Sequence, residues 1–291
     1  MCTDAIVLLR KLIGRGEPPS AAGSLAAQKV PAVRPRIDVG WATDTGRVRD
    51  HNEDAVLVIT AAQEGTERCP PFALLILADG MGGHRAGEVA SSTAARVAAH
   101  RITLRSYLPS LLDPQQNAEH PALTEVLVDA VQAANEALTE DVPGSGTTLI
   151  CALVLGSQAY IAHVGDSRAY VLTEEGLEKV TQDHSIVSRL VNSGQLTADE
   201  AAVHPQKNVL YRAVGQSTAL EVDTHVRKIK PGEYLLLCSD GLWDLVSEAR
   251  VAGLVWGAGS PQGACEALIA AANEAGGRDN VTAILWRSPL G

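Results

Sequence analysis

The chain has 291 residues, of which 46% are hydrophobic and 20% are charged, as in an ordinary globular protein of one large or two small domains. Its formal net charge of −10 argues against a nucleic-acid partner, and no apolar run approaches the roughly 18 residues that a membrane span requires. The five cysteines are odd in number and scattered, which indicates a reducing compartment, so we expect a cytoplasmic protein.

The first 36 residues differ from the rest of the chain. They contain six Lys/Arg but two Asp/Glu, and the stretch 14–36 is rich in Ala, Pro, Gly and Ser without periodicity, as is typical of a linker. Three interpretations stay open: an arm that docks to a partner or a membrane surface, a disordered tail, or a misassigned translation start. The compact domain is predicted to cover residues 37–291.

Beyond residue 37, the apolar pattern predicts strands joined by short turns, with helices that come in pairs. The predicted strands are 37–41, 55–59, 72–78, 147–155, 159–164, 169–172, 221–226, 234–238 and 281–286. The predicted helices are 87–102, 123–138, 185–191, 197–202 and 262–273. Because the helices do not alternate with the strands, the pattern indicates an antiparallel α+β architecture. The turn 165–167 is predicted to close a hairpin with Asp166 at its tip.

Acidic clusters recur at turns across the whole chain, and three of them directly follow predicted strands. The clusters are 49–54 (RDHNED), 79–83 (DGMGG), 165–168 (GDSR), 239–241 (SDG) and 276–280 (GGRDN). A carboxylate just past a buried strand is fixed in space, and several that converge repel one another unless a cation lies between them. Oxygen ligands without a His/Cys cluster favour Mg²⁺ or Mn²⁺ over zinc, so the pattern indicates a metal-dependent hydrolase.

Seven motifs in a fixed order make the chain resemble the PPM (protein phosphatase 2C) family of metal-dependent serine/threonine phosphatases, in its compact bacterial form. They are 43–54, 78–84, 146–148, 164–168, 182–185, 238–242 and 276–282, and the resemblance runs from about residue 37 to residue 287. The resemblance implies a four-layer α-β-β-α sandwich of two antiparallel sheets flanked by helix pairs, with a metal centre at one edge. It also implies a flap at about residues 182–210 that helps to choose substrates.

The same resemblance implies the ligands of two core ions. Asp79 would bridge the ions, and Asp240 and Asp279 would complete the site of one of them. The carbonyl oxygen of Gly80 would bind the other ion. Two divalent ions about 4 Å apart share a water and lower its pKa, so the resulting metal-bridging hydroxide would attack the phosphorus in line.

Five further residues receive roles in the same way. Glu53 and Asp54 would reach the metals mainly through waters. Arg49 would clamp the phosphoryl group with its planar fork, although a surface ion pair with Asp50 or Glu53 is the alternative. Asp166 would hold a weaker third ion or merely form a turn. Asn280 would orient Asp279 or a metal-bound water, or cap the turn after the glycine pair.

The general acid is open. Many eukaryotic members have a histidine directly after the Asp-Gly pair, where this chain has Met81. His84 and a metal-bound water are the two candidates for protonating the leaving group. His184 is expected to be a structural residue of the flap.

The leading functional hypothesis is hydrolysis of phosphoserine and phosphothreonine in proteins, opposing a eukaryotic-type bacterial Ser/Thr kinase. We expect a monomer that holds two Mn²⁺ or Mg²⁺ ions and a weaker third, and that acts on phosphorylated proteins and its cognate kinase. A catalytically silent phosphoprotein-binding module is disfavoured, because such modules usually lose metal ligands and every core ligand is present here. Hydrolysis of a small phosphoester stays open, because the metal site reads only the phosphoryl group.

Overall fold

The computed structural model describes residues 37–62, 71–82, 85–112 and 122–289. Within these ranges the strands are β1 Asp38–Asp44, β2 Asp54–Ala61, β3 Phe72–Met81, β4 Gly146–Thr147, β5 Leu149–Leu155, β6 Gln158–Val164, β7 Arg168–Thr173, β8 Gly176–Lys179, β9 Asp223–Lys228, β10 Tyr234–Cys238 and β11 Val281–Arg287. The first sheet has the order β1-β11-β10-β7-β8, and the second has the order β2-β3-β5-β6-β9, with β4 attached to β3. All of these strand pairs are antiparallel.

Helices cover the outer faces of both sheets. They are α1 Arg85–Ile102, α2 Leu108–Leu112, α3 Leu123–Asp141, α4 Ile186–Asn192, α5 Ala198–Ala202, α6 Asp240–Trp243, α7 Glu248–Gly257 and α8 Pro261–Glu274, and a π-helical turn, Thr103–Tyr107, follows α1. Side chains of α1 and α3 form one core with the second sheet, while α7 and α8 form another core with the first sheet. A third core lies between the sheets. The predicted four-layer sandwich is therefore confirmed.

Strand β3 is a long apolar run because both of its faces are buried. Successive side chains of a strand point to opposite faces. Leu74 and Ile76 therefore pack under the helices, whereas Leu75 and Leu77 face the first sheet, and all four are fully buried. A strand that is buried on both faces holds its last residues rigidly, which fixes the position of whatever follows the apolar run.

The predicted hairpin at residues 165–167 is wrong. Strand β6 belongs to the second sheet and β7 to the first, so the turn around Asp166 carries the chain from one sheet to the other. Strand β7 pairs with β8 and β10 instead, and β8 was not predicted. Gly165 adopts a φ of 108°, and a Cβ there would lie 2.6 Å from the Cβ of Thr148. The turn thus needs glycine because it packs tightly against the start of β5.

Most other predicted elements differ from the observed ones only at their ends. The predicted strand 147–155 is divided at Thr148, and the helices α2, α6 and α7 and the π-helical turn after α1 were missed. Helix α7 buries only Val251 and Val255, so its apolar periodicity is weak. Thr197 forms a capping box at the start of α5, because its hydroxyl accepts from the Glu200 amide and the Glu200 carboxylate accepts from the Thr197 amide.

Two other expectations concern the basic arm and membrane-spanning helices. The basic arm 1–36 lies outside the described residues, so the domain boundary near residue 37 stays a prediction. Among the helices in the described ranges, none combines the length and the apolar character needed to cross a membrane.

His163 in β6 is an unusual buried polar residue. It is 0% exposed, and neither of its ring nitrogens has a hydrogen-bond partner in the described part of the chain. Its ring lies 4.8 Å from the ring of His184, centroid to centroid. Burial, and then the neighbouring His184, lower the pKa of His163 to about 3. The folded state therefore holds this imidazole neutral.

We expect His163 to make folding acid-sensitive. The unfolded histidine binds a proton near pH 6.5 but the folded one only near 3, so stability falls as the pH drops below 6.5. The slope for one such proton is about 1.4 kcal/mol per pH unit. His163→Leu should retain about 2 to 3 kcal/mol more of its stability than the wild type between pH 6.5 and 4.5, measured by urea unfolding. His100→Leu, at an exposed position, is the matched control, and an unchanged pH dependence in His163→Leu would contradict this account.

Candidate metal centre

Five carboxylates gather at one edge of the sandwich, where strands of both sheets begin or end. Asp54 is the first residue of β2 and lies directly opposite Asp79 near the end of β3. Asp240 begins α6 two residues after β10, and Asp279 lies two residues before β11. Asp166 lies in the turn between β6 and β7. The sheets thus place at one edge the acidic residues that the sequence assigned to a metal site.

These carboxylates act strongly on one another. Burial, and then the charges of Asp54 and Asp240, hold the pKa of Asp79 well above its usual range. Burial, and then the charge of Asp166, do the same for the pKa of Asp240. Burial, and then the charge of Asp183, raise the pKa of Asp166 to about 6. Several like charges at this depth are costly in the absence of a counter-charge.

Asp54 has one satisfied and one unsatisfied oxygen. Its Oδ2 accepts hydrogen bonds from Ser239 Oγ at 2.9 Å and from Thr282 Oγ1 at 2.6 Å. Its Oδ1 is buried and has no hydrogen-bond partner among the described residues. Burial raises the pKa of Asp54 to about 6, against the lowering effect of the two hydroxyls. A buried carboxylate oxygen without a donor fits a cation ligand.

Two threonines hold the backbone of Asp79. Its amide donates to Thr148 Oγ1 at 3.0 Å, and its carbonyl accepts from Thr147 Oγ1 at 2.9 Å. Thr148 Oγ1 also lies 2.7 Å from Ser167 Oγ in the turn that carries Asp166. The sequence motif included both threonines without giving them a role. Their position directly before β5, beside the end of β3, could be found only from the strand pairing.

Gly80 lies where the backbone has no room for a side chain. Its amide donates to the carbonyl of Glu53 at 3.1 Å. A Cβ at residue 80 would lie 2.7 Å from that carbonyl oxygen and would collide with the carbonyl of Gly87 in α1. A Cβ at Gly87 would in turn lie 2.8 Å from the Glu53 carboxylate. These two glycines therefore let the Glu53 loop, β3 and α1 approach one another closely.

Arg49 lies at the rim of the cluster. Its Nη2 donates to Asp279 Oδ2 at 2.7 Å, and its side chain is 51% exposed. This hydrogen bond raises the pKa of Arg49. The sequence alternative to a phosphate clamp was an ion pair with Asp50 or Glu53, whereas this ion pair joins Arg49 to a predicted metal ligand.

Asn280 braces the loop that carries Arg49 and Glu53. Its Oδ1 accepts from the Glu53 amide at 2.8 Å, and its Nδ2 donates to the carbonyls of Thr45 at 3.0 Å and His51 at 2.8 Å. Its own amide donates to Asp279 Oδ1 at 2.9 Å. The side chain thus positions the loop, while the backbone of Asn280 orients Asp279.

His84, one of the two candidates for the general acid, lies outside the described residues, so its role stays a prediction. His184 is 1% exposed, and its Nδ1 accepts from the Gly165 amide at 3.1 Å while its Nε2 lies 3.2 Å from Asp223 Oδ2. Because Nδ1 is an acceptor, the proton is on Nε2 and is donated to Asp223. Burial lowers the pKa of His184, which keeps this tautomer neutral. The predicted structural role of His184 is confirmed.

The cluster is not arranged as a complete ligand set. Within the described ranges, no three His, Cys, Asp or Glu side chains are grouped so that they could hold a metal ion as they stand. Asp279 is engaged by Arg49, and one oxygen of Asp54 is engaged by two hydroxyls. The donor chemistry still fits a hard divalent ion, because every converging group offers carboxylate or carbonyl oxygen.

The four-layer sandwich matches solved structures of serine/threonine phosphatases, so the class of this protein is a phosphoester hydrolase. The family model for protein phosphatase 2C matches residues 41–190. The serine/threonine phosphatase stp of Listeria innocua is 38% identical to the chain over 243 residues, which cover 84% of this chain and 92% of that protein.

Solved structures agree with this assignment. The Mycobacterium tuberculosis serine/threonine phosphatase PstP/Ppp has a TM-score of 0.71 and 34% identity, covering 87% of this chain and 99% of that one. The PstP catalytic domain in complex with two manganese ions has a TM-score of 0.68 and 32% identity, with 87% and 99% covered. The chain therefore belongs to the protein phosphatase 2C family. It is a protein serine/threonine phosphatase, and its substrates are phosphoproteins.

The bracing role of Asn280 predicts a specific loss of stability. Asn280→Asp keeps the acceptor for Glu53 but replaces the two donated hydrogen bonds with repulsion between a carboxylate and two carbonyls. We expect a loss of about 1 to 3 kcal/mol in the free energy of unfolding, measured with urea in chelator. Asn208→Asp, at an exposed position in the flap, is the matched control and should change stability by less than about 0.5 kcal/mol. Equal effects of the two substitutions would count against the bracing role.

Proposed function

We propose that this phosphatase hydrolyses phosphoserine and phosphothreonine in proteins with the help of two divalent ions at the edge cluster. The proposal is carried by the convergence of five acidic residues from both sheets, whose mutual repulsion a cation would relieve. The buried, unpartnered Oδ1 of Asp54 supports the same conclusion. The manganese ions named for the PstP catalytic domain support Mn²⁺ as the metal, and Mg²⁺ remains within the proposal because it prefers the same ligands.

Each ligand of the core ions has a stated part in this proposal. Asp79 would be shared by the two ions. Asp240 and Asp279 would hold one ion, and the carbonyl oxygen of Gly80 would hold the other. When bound, the ions would activate a water for in-line attack on phosphorus.

The surrounding residues position the reaction. Glu53 and Asp54 would reach the ions mainly through waters, and Asp166 would hold a weaker third ion. Arg49 has a half-exposed guanidinium, so it can exchange its bond with Asp279 for two oxygens of a phosphoryl group. That exchange neutralises charge on the phosphoryl group and frees Asp279 for the metal.

The proposal extends to the cellular role. The protein is a cytoplasmic monomer in this proposal, and it consists of the arm 1–36 and the phosphatase domain 37–291 with a flap at about 182–210. It opposes a eukaryotic-type Ser/Thr kinase and acts on that kinase and its substrates. The bacterial relatives that carry the name serine/threonine phosphatase support this role. Cys151, Cys238 and Cys265 are free and buried, which agrees with a reducing compartment.

Phosphate release tests the core of this proposal. We expect release from a phosphothreonine peptide with Mn²⁺ and more weakly or equally with Mg²⁺, and none after chelation. Nitrophenyl phosphate should be hydrolysed under the same conditions. Release that survives chelation would refute metal dependence, and release from nitrophenyl phosphate alone would favour a small phosphoester as the substrate.

Replacing one central ligand should separate metal binding from folding. Burial, and then the charge of Asp166, hold the pKa of the Asp240 carboxyl well above its usual range. Asp240→Asn removes this unfavourable carboxyl, so metal-free protein should gain at least about 1 kcal/mol in stability at neutral pH. Calorimetric titration should show loss of at least one Mn²⁺, and activity should fall by more than about 100-fold. Asp141→Asn, at an exposed helix end, should leave all three properties unchanged. Full activity in Asp240→Asn would refute the ligand assignment.

A further inference from the structure

A cavity of about 450 Å³ lies between the flap and the segment that carries Asp240. Asp240 is one of the residues that line it, so the cavity adjoins the proposed metal centre, and Trp243, at the other end of α6, also lines it. The flap contributes small apolar side chains from α4 and α5, including Val187, Val191 and Ala201, together with neutral polar side chains such as Ser188 and Asn192.

The walls of the cavity are fixed to the catalytic edge. Trp243 Nε1 donates to the carbonyl of Asp166 at 3.1 Å, and the Arg168 guanidinium stacks 3.5 Å from the centre of the Trp243 ring. Lys207 in the flap donates to both carboxylate oxygens of Asp244, at 2.8 and 3.1 Å, which ties the flap to the end of α6. The cavity is therefore a built feature that is continuous with the site, rather than a gap between loosely packed segments.

The charges in these walls compensate one another. Asp183 accepts from Arg168 at 2.7 Å and pairs with Lys179 at 3.4 Å, while Lys207 pairs with Asp244. Away from Asp240, each charged side chain that lines the cavity thus has an opposite charge within the wall. A charged guest would have to break one of these pairs to gain a partner, which costs desolvation. An apolar guest would contact Trp243 and the small flap side chains and leave the pairs intact.

We propose that this cavity is a specificity subsite for a large apolar side chain, such as leucine, methionine or an aromatic residue, that lies close to the phosphorylated Ser or Thr of the protein substrate. The inference rests on the proposed function, since it takes Asp240 to mark the place where the phosphoryl group reacts. An extended peptide advances about 3.3 Å per residue, so the side chain must come from a residue within about three positions of the phosphorylated one. Burial of that side chain supplies the selectivity.

A positional set of phosphothreonine peptides tests the subsite. Each peptide carries leucine, lysine or glutamate at one of three positions on either side of phosphothreonine, in an otherwise alanine and glycine sequence, and kcat/KM is measured with Mn²⁺. At one position or more, leucine should exceed lysine and glutamate by about tenfold or more. Equal kcat/KM across the set would overturn the subsite while leaving the proposed function intact. If none of the phosphopeptides is hydrolysed, the proposed function is overturned instead.

Two substitutions in the flap sharpen the test. Ala201→Trp occupies part of the cavity and should move the ratio of leucine to lysine kcat/KM towards one. Val191→Asp adds an unpaired charge to the wall and should reverse the ratio in favour of lysine. Because each readout is a ratio within one preparation, a reduced folded fraction cancels, and if one variant fails to fold the other decides. Ala270→Trp, on the exposed side of α8, is the matched control and should keep the wild-type ratio; the same ratio in Ala201→Trp or Val191→Asp would overturn the proposal.

Discussion

Repulsion among carboxylates at one edge of the sandwich is the constraint on which the rest of the structure depends. Burial and mutual repulsion raise the pKa values of Asp79 and Asp240, so bringing these groups together opposes folding at neutral pH. Three packed apolar cores offset that cost. Strands buried on both faces also leave little freedom for the residues that follow them, so the carboxylates cannot move apart to relieve the repulsion.

Neutral donors, rather than cations, orient most of this cluster. Ser239 and Thr282 hold Asp54, Thr148 holds the backbone of Asp79, and Asn280 holds the loop beside Asp279. A hydroxyl or amide fixes the geometry of an acid without cancelling its charge, so the negative potential stays available to a divalent ion. A lysine in the same place would have neutralised that negative potential. Among the described residues, the cation that bonds to one of these carboxylates, Arg49, lies at the exposed rim. Under the proposed function, it would exchange Asp279 for a phosphoryl group there.

The sequence reveals those parts of the site that depend on local pattern. An apolar run followed by Asp-Gly identifies Asp79 and Asp240 as acidic residues just past a buried strand. Neighbouring residues are enough to indicate both the burial of the strand on two faces and the sharp turn after it. The course of the chain around Asp166 was predicted wrongly, since turn chemistry does not specify which sheet the next strand joins. The roles of Ser239 and Thr282 were missed for a related reason. Both act on Asp54, from 185 and 228 residues away, and no local signal encodes that contact.

The flap contacts the catalytic edge through the residue before Asp166. His184, at the start of the flap, accepts from the Gly165 amide and donates its own amide to the Gly165 carbonyl at 2.8 Å. Trp243 of α6 donates to the carbonyl of Asp166 itself. A shift of the flap would therefore act on the backbone next to Asp166. Under the proposed function, a small phosphoester that does not touch the flap would leave this connection unused, so protein substrates and nitrophenyl phosphate would probe different parts of the same site.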